Sequence, residues 1–210
     1  MNIYRLYGQI WKQYIWYLPQ DEKRIFLTFD DGPSELITPE ILEVLDRYNA
    51  KATFFCLGRN VERFPRIYDD ILNQGHSTGN HTHNHLNGWF TSRDRYIEDI
   101  YQAGKFIQSP LLRPPYGKIR SSQARLLNKN FQIVMWDVMS HDYNRKYSPE
   151  NIFHHVVRFS RPGSVVVFHD SERAGKDVLS ALPKVLGYIR EEGYEFSAIP
   201  MSTTSQQTED

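Results

Sequence analysis

The chain has 210 residues, 40% hydrophobic and 14% aromatic, enough to bury one sizeable core as a single domain. Lysine plus arginine and aspartate plus glutamate number 25 each, so no overall field draws the chain to nucleic acid or to anionic lipid. A lone Cys56, inside the apolar run Thr53-Phe54-Phe55-Cys56-Leu57, excludes an internal disulfide and reads as a small core residue.

Residues 1–20 form an amphipathic N-terminal segment. Its apolar positions 3, 6, 7, 10, 11, 14 and 18 follow helical spacing and predict a helix capping one end of the core. The rival reading is an interfacial helix on a membrane surface, because Trp and Tyr favour headgroup depth. Arg5 and Lys12 interrupt the apolar character and no small-residue cleavage site follows, so neither a signal peptide nor a membrane span is expected. On that basis the expected location is cytoplasmic or peripheral on the inner membrane.

From Arg24 onward, strand-like and helix-like runs alternate. Strands are expected at 24–29, 52–57, 76–80, 111–113, 131–138, 164–168 and 195–199. Helices are expected at 39–48, 61–73, 94–107, 122–129, 149–159 and 178–191. This alternation means βαβ units with a parallel sheet across residues 21–200, and about seven units fit a distorted (β/α)7-type barrel. No Gly-x-Gly-x-x-Gly opens any helix, which argues against an open dinucleotide-binding sheet. Residues 201–210 read as a polar tail.

In such a fold the active site is built at the C-terminal edge of the strands, so the polar groups that end each strand matter most. The first strand ends in Asp30-Asp31-Gly32-Pro33, two adjacent carboxylates that need a balancing cation if buried. The third is followed by His81-Thr82-His83-Asn84-His85. The i, i+4 spacing of His81 and His85 corresponds to one helical turn and would aim both imidazoles at one point, with His83 turned away. Two histidines and one carboxylate leave an open position, as expected of a hydrolytic zinc site. The next edge offers Arg113-Pro114-Pro115-Tyr116, where the Arg suits a bidentate carboxylate pair. The prolines stiffen the turn, which either fixes the Tyr116 N–H as an oxyanion donor or is an ordinary rigid turn with a surface Arg. Further on, His169 follows a β-branched strand, and Asp142 is available to set its tautomer and raise its pKa, which suits a general acid.

Taken together, T-F-D-D-G-P at 28–33, H-T-x-x-H at 81–85, R-P-P-Y at 113–116, D-Y at 142–143 and F-H-D at 168–170 resemble the ordered motifs of the polysaccharide deacetylases. These are the NodB-like domains of carbohydrate esterase family four. The resemblance implies a distorted barrel and metal-dependent removal of an N- or O-acetyl group from an oligo- or polysaccharide. It implies that Asp31, His81 and His85 bind a divalent metal, with Zn2+ expected and Co2+ or Ni2+ as alternatives. Asp30 would be the general base held by Arg113, and His169 the general acid oriented by Asp142. Tyr116 would supply the oxyanion N–H, while Tyr143 and Val167 would line the acetyl slot. The chain departs from the family pattern at Met139, where an acidic residue is usual, and at Tyr143, where Trp is common. Three other readings are a glycan-binding module without chemistry, a non-haem Fe(II) oxygenase with the same two-His, one-carboxylate face, and an amidase acting on a small non-glycan amide. The first two have less use for Asp30 and His169. Trp89, in the loop after His85, is either a sugar-stacking platform or a packing residue.

Overall fold

Strand β1 (Arg24–Asp30) sets the frame, because its side chains alternate between two apolar environments. Ile25, Leu27 and Phe29 face the helix layer, in one buried cluster with Phe54, Phe168, Ile41 and Leu182. Phe26 points the other way, into a second cluster with Phe55, Val165 and Val167 that fills the barrel interior. On that inner face Thr28 and Asp30 continue the row, so the period of two carries Asp30 to the rim.

The computed structural model describes residues 3–19 and 21–201. The other strands are β2 (Ala52–Cys56), β3 (Ser77–Asn80), β4 (Leu111–Leu112), β5 (Gln132–Ile133), β6 (Val138–Met139), β7 (Val165–His169) and β8 (Glu195–Phe196). Seven of them run in the order β5-β4-β3-β2-β1-β7-β6, and β8 pairs with the start of β1. Every ladder is parallel, and the register sets Asp30 opposite Phe55 on one side and His169 on the other. The helices are α1 (Ile3–Ile10), α2 (Ile37–Arg47), α3 (Gly58–Arg63), α4 (Pro65–Asn73), α5 (Arg93–Ala103), α6 (Ser121–Leu127), α7 (Pro149–Phe159) and α8 (Gly175–Glu191). The expected distorted barrel of parallel strands is therefore present.

Three expected elements differ for identifiable reasons. The single helix predicted at 61–73 is two, because Phe64 precedes Pro65 and leaves the helical region at φ −128° and ψ 57°. The single strand predicted at 131–138 is also two. Between its halves the Asp137 carboxylate accepts the Val165 N–H at 2.8 Å, replacing a regular ladder bond with a side-chain one. The helical spacing at the N-terminus holds only for α1. Beyond it, Ile15 bridges Val134 in parallel and Tyr17 bridges Ser164 in antiparallel fashion. The Ile15 N–H donates to Ile133 O at 2.8 Å and the Met135 N–H donates to Ile15 O at 2.6 Å.

The N-terminal segment thus fills the side of the barrel that β5 and β6 leave open. Tyr4, Ile15 and Leu18 pack on the interior cluster, and the Arg5 guanidinium pairs with buried Asp137 at 2.8 Å. Leu6, Ile10 and Trp11 remain exposed on the outside. Among the described residues no helix is long and apolar enough to cross a membrane. The expected polar tail beyond residue 201 lies outside the described residues.

Candidate active site

The two acids that end β1 do not share one environment. Asp30 stays on the inner face of the barrel, whereas Asp31 takes a left-handed backbone at φ 81° and turns its carboxylate toward the loop after β3. The turn is held from α3, where the Asn60 amide donates to Asp31 O at 2.8 Å, and by the Leu57 N–H donating to Gly32 O at 2.9 Å. Gly32 has no room for a side chain, since a Cβ there would collide with the Asp170 carboxylate. Asp170 is fully buried and accepts the Thr38 hydroxyl at 2.7 Å. Burial raises its pKa to about 7, and the Asp31 charge pushes the same way against the Thr38 hydrogen bond.

Arg113 supplies the positive charge that Asp30 needs. It is fully buried, and its Nη1 amino group donates to Asp30 Oδ1 at 2.6 Å and to Thr28 Oγ1 at 2.7 Å. The rest of the guanidinium donates to Val134 O at 3.3 Å and Met135 O at 2.9 Å, and its carbon lies 4.1 Å over the Phe55 ring. The pair is therefore not the expected bidentate fork. The other two nitrogens, Nε and Nη2, are instead used on the Val134 and Met135 carbonyls beside the broken strand.

His81 and His85 both reach Asp31. Their Nε2 atoms lie 3.5 and 3.0 Å from Asp31 Oδ1, and the rings are 5.2 Å apart. The expected helical turn is absent. The segment is a loop in which Thr82 and His85 take φ of 67° and 60°, and the Asp99 carboxylate pins it by accepting the N–H groups of His83 and Asn84. His83 turns away, as expected, and stacks on Phe106. His81 Nδ1 lies 2.8 Å from Arg113 O; it donates there, so the Nε2 lone pair faces Asp31.

Asp31 Oδ1 is buried without an aligned hydrogen-bond donor, and the three ligand atoms lie within 4.8 Å of one another. An orphaned carboxylate oxygen with two imidazole nitrogens beside it fits a divalent cation.

His169 is anchored from the loop after β6. Its Nδ1 lies 2.7 Å from Asp142 Oδ1, and its backbone N–H donates to Asp142 Oδ2 at 2.7 Å. Burial alone would lower the imidazole, yet the Asp142 charge and hydrogen bond prevail and raise it to about 9. The Tyr143 ring meets it edge-on at 5.1 Å.

These groups line a cleft of about 680 Å3, with Asp30, Asp31, His81, His85 and His169 at its base. Tyr116 and Tyr143 form its aromatic rim, and Tyr116, at φ 60°, meets the His85 ring edge-on at 4.7 Å. Val167 does not line the cleft. It lies on the same face of β7 as His169 but two residues deeper, fully buried in the interior cluster, and Trp136 and Met139 line the cleft instead. Met139 therefore stands as an apolar wall where the family pattern has an acid, and Arg113 has Asp30 as its ion-pair partner. Trp89 is half exposed outside the cleft, with its ring N–H donating to Ile119 O at 3.3 Å. Reasoning from sequence missed Asn60 and Trp136. Gly-Arg-Asn directly after β2, at the catalytic edge, was the available signal for the first.

The sequence profile of the polysaccharide deacetylases matches residues 18–135. A peptidoglycan-N-acetylglucosamine deacetylase of Bacillus cereus is 36% identical over 193 residues, covering 88% of this chain and 90% of that protein. The chain belongs to the polysaccharide deacetylase family. A chitooligosaccharide deacetylase of Azorhizobium caulinodans is 30% identical, with 87% of this chain and 96% of that protein covered. Among solved structures, the Bc1960 peptidoglycan N-acetylglucosamine deacetylase in complex with 4-naphthalen-1-yl-N-oxidanyl-benzamide superposes with a TM-score of 0.88. Identity there is 34%, with 96% of this chain and 99% of that one covered. As a member of the polysaccharide deacetylase family the chain is a hydrolase of carbon–nitrogen bonds other than peptide bonds.

Proposed function

We propose that this family member hydrolyses the acetyl group of an acetylated oligo- or polysaccharide, with Asp31, His81 and His85 holding a divalent cation. The observation that carries the reading is the meeting of three units in one cleft: the Asp31, His81 and His85 donor set, the Asp30–Arg113 pair and the His169–Asp142 pair. Zn2+ suits two imidazoles and one carboxylate with a position left open, and Co2+ and Ni2+ accept the same donors. When bound, the cation supplies Lewis acidity toward the acetyl carbonyl and acidifies a water.

The chain's own groups do the rest. Asp30, aimed by Arg113, takes the proton of the attacking water as the new C–O bond forms. The Tyr116 N–H, on its proline-stiffened turn, donates to the carbonyl oxygen as negative charge gathers there. His169, protonated and oriented by Asp142, gives its proton to the leaving nitrogen as the C–N bond breaks, releasing acetate and a free amine. Tyr143, Trp136 and Met139 wall the space for the acetyl methyl. The relatives named for N-acetylglucosamine and chitooligosaccharide support an N-acetyl glycan, and the exposed aromatic rim suits a polymer better than a small amide.

The test is acetate release from N-acetylglucosamine oligomers, with and without added Zn2+ or Co2+. Asp30→Asn and His169→Ala should each lower kcat by about 10²-fold or more while retaining metal. Full activity in either variant, or no acetate from any acetylated glycan, would overturn the assignment.

A further inference from the structure

Two arginines stand at the mouth of the cleft, on either side of β1. Arg59 lies in the first turn of α3, directly beyond β2, and Arg173 lies between β7 and α8; β2 and β7 are the two lateral neighbours of β1 at its C-terminal edge. Both residues are exposed and both line the cleft. Among the described residues neither forms an ion pair, although Glu62 and Glu172 are close to them in sequence. The acids inside the cleft are already engaged, Asp30 by Arg113 at 2.6 Å and Asp31 by His81 and His85.

The positive charge at the mouth is local, since the whole chain is balanced at 25 basic and 25 acidic residues. A neutral sugar presents hydroxyl and amide groups that Asn, Gln or an aromatic face can bind. A guanidinium is the side chain that matches a carboxylate or phosphate, by charge and by its fork of donors. A cleft framed by two of them draws anions toward its base.

We infer that Arg59 and Arg173 recognise a negative charge, a carboxylate or a phosphate, carried by the glycan beside the acetylated sugar, and so select an anionic substrate class. This rests on the deacetylase reading above.

The test compares wild type, Arg59→Gln, Arg173→Gln and the double variant on three oligosaccharides of equal length. One is a neutral N-acetylglucosamine oligomer, one carries ether-linked carboxylates, and one carries phosphate monoesters. Acetate release gives kcat/KM, and calorimetry gives binding without turnover. Each substitution should lower kcat/KM about tenfold on one of the anionic oligomers, chiefly through KM, with a clearly smaller loss on the neutral one. The wild-type preference for that oligomer should shrink as salt rises. Parallel losses on all three substrates, or no loss, would overturn the inference. If no oligomer releases acetate, the deacetylase reading fails on its own. Calorimetry then still decides the role of the arginines, and equal affinity of wild type and double variant for neutral and anionic oligomers would overturn it.

Discussion

Asp30 and His169 are register partners across the parallel ladder of β1 and β7, each the last residue of its strand. The ladder therefore fixes both side chains at one level of the barrel rim. Each is then aimed by a separate neighbour, Arg113 for the carboxylate and Asp142 for the imidazole. In the proposed reaction the two groups that exchange protons with one substrate are thus positioned by backbone pairing, which is stiffer than a loop.

Arg113 is the first test of that arrangement. Arg113→Ala would leave Asp30 buried without its counterion and the Val134 and Met135 carbonyls without their donor. Removing one partner of a buried pair costs about 3–5 kcal/mol. Arg113→Lys restores the charge but not the donors to the Val134 and Met135 carbonyls, so its loss should be intermediate. Urea midpoints of the three proteins check the order, with the alanine variant lowest.

The His169–Asp142 pair makes a pH prediction. An imidazolium that donates a proton is present below its pKa and lost above it. With that pKa raised to about 9, the activity should hold through neutrality and fall as pH rises through about 9. In Asp142→Asn the raising charge is gone and burial remains, so the alkaline limb should move to lower pH by about one unit or more. The same shift is a stability statement. The folded pKa exceeds the ordinary value of 6.5, so the contribution of the pair is complete below that value and lost as pH rises through about 9. The stability gap between wild type and Asp142→Asn should narrow over that window. Profiles of kcat/KM and chemical denaturation at several pH values measure both.

Metal linkage is the third. A ligand that binds only the folded chain stabilises it, by about 2.7 kcal/mol at a hundred times its Kd. Zn2+ should therefore raise the Tm of the chelator-treated protein. Asp31→Ala and His81→Ala should abolish that rise and lower the metal content, while Asp30→Asn should keep both. Thermal scans with elemental analysis distinguish these outcomes.

The strands were legible because each barrel strand carries buried residues on both faces, so β1, β2 and β7 read as continuous runs of β-formers. The rim residues were legible because such runs end abruptly in Asp30, His81, Arg113 and His169. What escaped depended on contacts distant in sequence. Asp137 splits its strand only because Val165 lies beside it, and Ile15 is extended only because Val134 offers a free edge. Val167 was placed at the acetyl slot by the family resemblance alone; here it lies one layer below the cleft, because β7 carries it to the same face as His169 but two residues deeper. The His81–His85 spacing suggested a helical turn because i, i+4 geometry is the simplest way to join two imidazoles. Asp99 achieves the same convergence by holding a loop.

The N-terminal segment yields the last prediction. Its helix-like apolar spacing gave no hint that it completes the barrel wall, yet Arg5 reaches Asp137, which also accepts from Ser164 Oγ at 3.0 Å and the Val165 N–H at 2.8 Å. Burial raises the Asp137 pKa, and the Arg5 charge and hydrogen bond oppose it. Arg5→Ala removes that opposition, so the buried carboxylate becomes harder to keep ionised. The loss should be about 1–3 kcal/mol near neutral pH and smaller in acid, where Asp137 can take up a proton instead. Asp137→Asn should cancel part of the loss, giving a coupling of about 1 kcal/mol or more in a double-mutant cycle. Denaturant midpoints of the four proteins supply the cycle. Purely additive losses would mean that the segment is held by Tyr4, Ile15 and Leu18 against the interior cluster alone, with no contribution from the ion pair.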